Sequence, residues 1–209
     1  MATTTIDTET ELSAVNSILG AIGQSPITDL EVGKANPEVG YVYNLLRDSN
    51  IDVQTEGWHF NTEKGKTYYK DASDKIKIGN DIIRIDVTDP WTHRNYDVVK
   101  RNGYLYDKFD HTDDWSEQSD SGINLDVTFL FSFENLPTPF KRYIIYRASR
   151  MAAVQLVSNG DLAKLLTVQE QQARAACMEY ECNQGNHSMF GFPEDTIHYT
   201  YQPWRTLRR

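Results

Sequence analysis

At 209 residues, with 39% hydrophobic and 11% aromatic content, the chain is long enough to bury roughly 70% of its unfolded surface in one domain, or in a core with one inserted subdomain. Its net charge of −9 argues against a protein whose task is to grip nucleic acid, because tight phosphate binding needs clustered Lys and Arg. Cys177 and Cys182 fit neither a metal knuckle nor a disulfide framework and read as reduced thiols; Met1 to Thr10 has no signal-peptide pattern, and no apolar run approaches membrane-spanning length.

Thr8 and Glu11 have capping-box spacing, and Leu12, Val15, Leu19 and Ile22 follow at helical intervals until Gly23 and Pro26, which predicts a first helix. Asn36 before Pro37 predicts a second, reaching about Gln54 through Val39, Val42, Tyr43, Leu46, Asn50 and Val53. Gly57 closes it, and Trp58 and Phe60 are large apolar anchors in the exit. From Asn61 the period changes. Ile76 with Ile78, then Ile83, Ile85 and Val87, alternate as strand residues do, with Pro90 ending the run. Asn102-Gly103 between Val98–Arg101 and Tyr104–Tyr106 is the strongest short-range hairpin signal a sequence offers. Asp110 to Gly122 is a polar, acidic loop, after which Ile123, Leu125, Val127, Phe129, Phe131 and Phe133 alternate as one long strand of eleven residues, in a sheet of four or five strands.

Thr138 before Pro139 predicts a capped helix running to about Ser158. Phe140, Tyr143, Ile144, Met151, Val154 and Val157 form its buried stripe, and Lys141, Arg142, Arg147 and Arg150 share much of the rest. Asn159 and Gly160 stop it, both being tolerant of a left-handed helix end. Asp161 starts an antiparallel partner whose stripe is Leu162, Leu165, Leu166, Gln169, Ala173, Ala176 and Tyr180. The expected fold class is α+β: a four-helix bundle-like core with an inserted antiparallel β-sheet subdomain and an extended C-terminal tail. The boundaries are a flexible 1–8, the helical halves 9–59 and 135–187, the β insertion 60–134 and the tail 188–209.

No constellation announces catalysis. His111, Asp113, Asp114, Glu117 and Asp120 share a polar loop without the rigid geometry a metal site needs, and His59, His93, His187 and His198 are scattered. There is no Gly-x-Ser-x-Gly elbow and no glycine pattern for phosphate. A carboxylate pair for glycoside hydrolysis is not excluded among 30 acidic residues, which leaves a hydrolase acting on envelope polysaccharide or peptidoglycan as an alternative class. Neither cofactor nor metal is expected. The four cations Lys141, Arg142, Arg147 and Arg150 read either as a solvated helix face or as a contact for an acidic neighbouring subunit. In the tail, Tyr201, Trp204, Arg205, Arg208 and Arg209 are residue types that anchor interfaces.

Several spaced motifs resemble one known family: Leu12-Ser13-Ala14-Val15-Asn16, Ile18-Leu19-Gly20-Ala21-Ile22-Gly23 and Pro26-Ile27; Gly57-Trp58 with Phe60-Asn61; Leu105-Tyr106-Asp107; Leu136-Pro137 with Arg142-Tyr143-Ile144. Together they resemble the tail tubular protein A family, the head-to-tail adaptors of T7-like short-tailed bacteriophages, over Leu12 to about Asn186. The resemblance implies a non-enzymatic virion protein of the tail. It implies a dodecameric ring below the portal protein, with the nozzle protein, tail tubular protein B, attached beneath, tail fibres nearby, and double-stranded DNA passing through without specific binding. The tail residues Tyr201, Trp204, Arg205, Arg208 and Arg209 are then the expected portal-docking segment.

Overall fold

The computed structural model describes residues 9–33, 35–88, 96–116 and 122–185. Thr10 Oγ1 accepts from the Ser13 amide at 3.3 Å and opens α1 (Glu11–Ala21), so the helix starts later than the Thr8 spacing implies; Thr8 lies outside the described residues. A short helix that the pattern did not announce, α2 (Leu30–Gly33), precedes α3 (Pro37–Thr55). The α3 start is as expected: Asn36 Oδ1 accepts from the Glu38 amide at 3.1 Å and Pro37 takes the first helical position. Gly57, at φ +77°, turns the chain out of α3 into Trp58 and a 3-10 turn at His59–Asn61.

Among the described residues five strands follow, in two sheets rather than one. β5 (Ile123–Phe129) is the centre of an antiparallel sheet, flanked by β1 (Thr62–Tyr68) and β2 (Ile82–Val87). The β1–β5 pairing runs from Thr62 opposite Thr128 to Tyr68 opposite Ile123. β3 (Val98–Arg101) and β4 (Tyr104–Asp107) form the expected hairpin, with Asn102 at φ +53° and Gly103 at φ +81° as the two left-handed residues of its turn. Ile76 and Ile78 are buried but lie outside the strands. They run beside β4, the Ile78 amide donating to Gly103 O at 2.9 Å and the Leu105 amide to Ile76 O at 2.8 Å.

The strand expected to run to Phe133 stops at Phe129: the Leu130 amide still reaches Asp81 O just ahead of β2, but the Phe131 amide donates to the side chain of Gln54 instead of to a strand. Phe133 then belongs to a 3-10 turn (Phe133–Asn135) and to the other hydrophobic core.

α4 (Thr138–Ala152) opens on Pro137, and the Thr138 hydroxyl does not cap it. Nor does the α-helix reach Ser158. It gives way to a π-helical turn at Ala153–Val157, and Ser158 takes the left-handed conformation at φ +54°. Asn159 is the cap of the next helix rather than the end of the last, its Oδ1 accepting from the Asp161 and Leu162 amides at 3.1 Å, and Gly160 is the first residue of α5 (Gly160–Gly185).

Two hydrophobic cores result. The first is helical: Ile18 and Leu19 of α1, Val42 and Leu46 of α3, Phe140, Tyr143 and Ile144 of α4 and Cys177 of α5 are all buried there with Trp58. The second fills the space between the sheets, around Leu105, Trp115, Ile123, Leu125 and Val127. α4 is the hub of the first, packing against α1, α3 and α5, and α1 also packs against α3. The mixed helix and strand of the expected α+β class is present.

Candidate assembly surfaces

The joint between the two cores is built from side-chain amides. Gln54, fully buried, donates from Nε2 to Phe131 O at 2.8 Å and accepts at Oε1 from the Phe131 amide at 2.8 Å, pairing with that residue as a neighbouring strand would. Asn61 Nδ2 donates to Gln54 O at 2.9 Å and to Phe129 O at 3.0 Å, and its Oδ1 accepts from the Trp58 amide at 2.8 Å. Phe131 packs against both cores. Gln54 carries no sequence motif, and its partner Phe131 lies 77 positions away, a separation that local spacing cannot report; Asn61 stands in the Phe60-Asn61 motif, but nothing local shows its bond to Phe129.

The four cations of α4 do not share one face. Lys141 is 1% exposed, with its ammonium 6.0 Å from the centroid of the Phe133 ring. The expectation of a solvated Lys141 fails because α4 is packed by three helices at once and buries a wider face than a single stripe. Arg147 pairs with Asp52 of α3 at 2.8 Å, and Arg150 with Glu170 of α5, so both are used to hold α4 to its neighbours. Burial weighs against the Arg147 charge, and its bonds to Tyr143 and Asp52 outweigh that and raise its pKa. Arg142 is different: its side chain is 64% exposed, and among the described residues its ion-pair partner is Glu9, at 3.3 Å. Tyr201, Trp204, Arg205, Arg208 and Arg209 lie outside the described residues.

The acidic loop is partly ordered by its own contacts. Lys75 pairs with Asp113 at 2.6 Å, a bond that holds the Asp113 carboxyl below its ordinary range and the Lys75 ammonium above its own. Asp107 is buried and accepts from the Asp97 and Phe109 amides, which locks the base of the hairpin. Among the described residues no group of three or more His, Cys, Asp or Glu is placed to hold a metal. His93, His187, His198, Glu117 and Asp120 lie outside them.

Among the described residues, two open surfaces on the helical side carry apolar groups, one of them with polar groups along its inner part. Between α1 and α5 a groove runs over α4. Its inner part, about 340 Å³, lies between Ala21 of α1 and Leu166 of α5; its outer part, about 410 Å³, lies between Pro139 and Ala176. Arg142, Tyr146 and Gln169 line both parts. At the far end of α4 the π-helical turn exposes Val154 (50%), Leu156 (39%) and Val157 (41%), beside the exposed ring of Tyr41. Val154 and Val157 were expected inside. The buried row of α4 instead follows Phe140, Ile144, Ala148 and Ala152, and the wider π turn rotates the next valines outward.

These features define an α+β protein in which a helical core carries two small antiparallel sheets, and whose open features are contact surfaces. A family model for tail tubular proteins matches residues 12–187. The chain belongs to that family, the tail tubular proteins of phages, and the family places it among the structural components of the virion tail. No curated protein matches it at a significant level. No helix among the described residues is long and apolar enough to cross a membrane.

Proposed function

We propose that the chain is the head-to-tail adaptor of a short-tailed phage: a non-enzymatic subunit of a dodecameric ring that joins the portal protein above to the nozzle protein, tail tubular protein B, below, beside the tail fibres. Its central opening passes double-stranded DNA without specific binding. The observation that carries this reading is the family match over residues 12–187, nearly the span of the motifs Leu12 to Asn186. The net charge of −9 suits a conduit that must not retain DNA. In this reading residues 9–59 and 135–187 form the body, 60–134 an inserted unit, and 188–209 a docking tail that holds the portal through Tyr201, Trp204, Arg205, Arg208 and Arg209. Of the four cations of α4, Arg142 is the one left for a subunit contact, since Lys141 is buried and Arg147 and Arg150 are spent within the chain.

The test is sedimentation of the chain alone and with purified portal rings of the same phage, followed by electron microscopy of the complex. A complex of fixed stoichiometry is expected. Truncation after Phe192 should leave a folded chain that no longer joins the portal, and undiminished joining would remove the docking role from the tail.

A further inference from the structure

The two open surfaces of the helical side are unlike in shape. One is concave, floored by Ile145 and Tyr146 and walled by Ala173 and Ala176 of α5. The other is convex, the π-helical tip formed by Val154, Leu156 and Val157 and braced by Tyr41, whose hydroxyl donates to Gln155 Oε1 at 2.7 Å. Along the α4 axis the outer part of the groove, Pro139 to Tyr146, lies roughly 12 to 22 Å from Val154 at 1.5 Å per residue, so the rigid tip cannot fold back into it. Exposed apolar area at both places favours burial, and a molecule with a knob and a hole at different sites buries both by repeating head to tail.

Charge points the same way. Arg142 stands in the groove with its side chain 64% exposed, beside its partner Glu9, and Glu38 is exposed in the first turn of α3, three residues before the Tyr41 that reaches the tip. Resting on the adaptor reading above, we infer that the occupant of the groove is a second copy of this chain: the Val154–Val157 tip of one subunit seats between Tyr146 and Ala176 of the next, with Glu38 of the first facing Arg142 of the second. The contact is heterologous, leaving each subunit with one used knob and one used hole. It therefore propagates around a ring without a twofold axis between neighbours.

The experiment is a charge swap on the full chain, read by sedimentation velocity alone and in the presence of portal rings. Arg142→Glu and Glu38→Arg should each weaken subunit association by about tenfold or more through like-charge juxtaposition, and the two changes in one chain should restore it. Leu156→Asp, on the exposed tip, should abolish association with the circular dichroism spectrum unchanged, and it carries the test if Arg142→Glu disturbs the Glu9 contact and the fold. Association of all three single variants as tight as wild type overturns the knob-into-groove contact while leaving the adaptor reading standing. Loss in the single variants without rescue in the combined one also overturns it, and gives the groove to another occupant. A wild-type chain that neither self-associates nor joins the portal overturns both.

Discussion

Gln54 does at one residue what a strand does over several, supplying donor and acceptor to the same buried backbone unit, Phe131. Asn16 repeats the device at the other end of the core, pairing with both backbone groups of Ile27 at 2.9 and 2.8 Å. Gln54→Ala would strand the Phe131 amide and carbonyl in an apolar setting, so it should cost about 2–4 kcal/mol in urea denaturation, well above the effect of an exposed change such as Thr55→Ala. Nothing local marks Gln54 as more than the last residue of a helix, and only the fold brings its partner to it. Cys177 gives a pH signature. Burial pushes its thiol up to about 12 from an ordinary 9.0, so the folded state keeps the proton where the unfolded chain loses it. Its contribution to stability is therefore intact below the ordinary thiol range and is lost as pH rises toward about 12. Denaturation midpoints between pH 8 and 11 should fall less for Cys177→Ala than for wild type, and a thiol reagent should modify the exposed Cys182 in the native state and both cysteines only after unfolding.

Among the elements, those with local chemistry were legible and those defined by partners were not. The Asn36-Pro37 start, the Gly57 stop and the Asn102-Gly103 hairpin follow from side chains within a few positions. β1 escaped because Thr62–Tyr68 has no apolar alternation; it is a strand because β5 offers it a ladder. The eleven-residue pattern from Ile123 to Phe133 overran the strand because apolar alternation does not say which core each residue enters. At the candidate surfaces, Arg142 was legible as an exposed cation, whereas the Val154–Val157 tip was not, since a helical period carried through it puts those valines inside. Ser158 bears the strain of that turn at φ +54°, a conformation glycine adopts at no steric cost. Ser158→Gly should stabilise the chain by about 0.5–1 kcal/mol in thermal denaturation without moving α5.

At the scale of the molecule, the two cores meet through a narrow waist: Phe131 touches both, and Gln54 and Asn61 hold the chain on either side of it. Coupling through so few groups makes cooperativity vulnerable. Wild type should unfold in one calorimetric transition, and Phe131→Ala, by leaving a gap at the only described hydrophobic side chain common to both cores, should cost about 2–4 kcal/mol and drive the van't Hoff enthalpy below the calorimetric one.

The chain enters and leaves the sheets at neighbouring points, with Thr62 paired to Thr128 and Asn61 bonded to Phe129 beside them. A pull on the sheets directed away from the helices is therefore met by the Gln54 and Asn61 bonds side by side, as a rope is held by several hands at once. Such a hinge resists tension as a block and yields abruptly, instead of unzipping bond by bond.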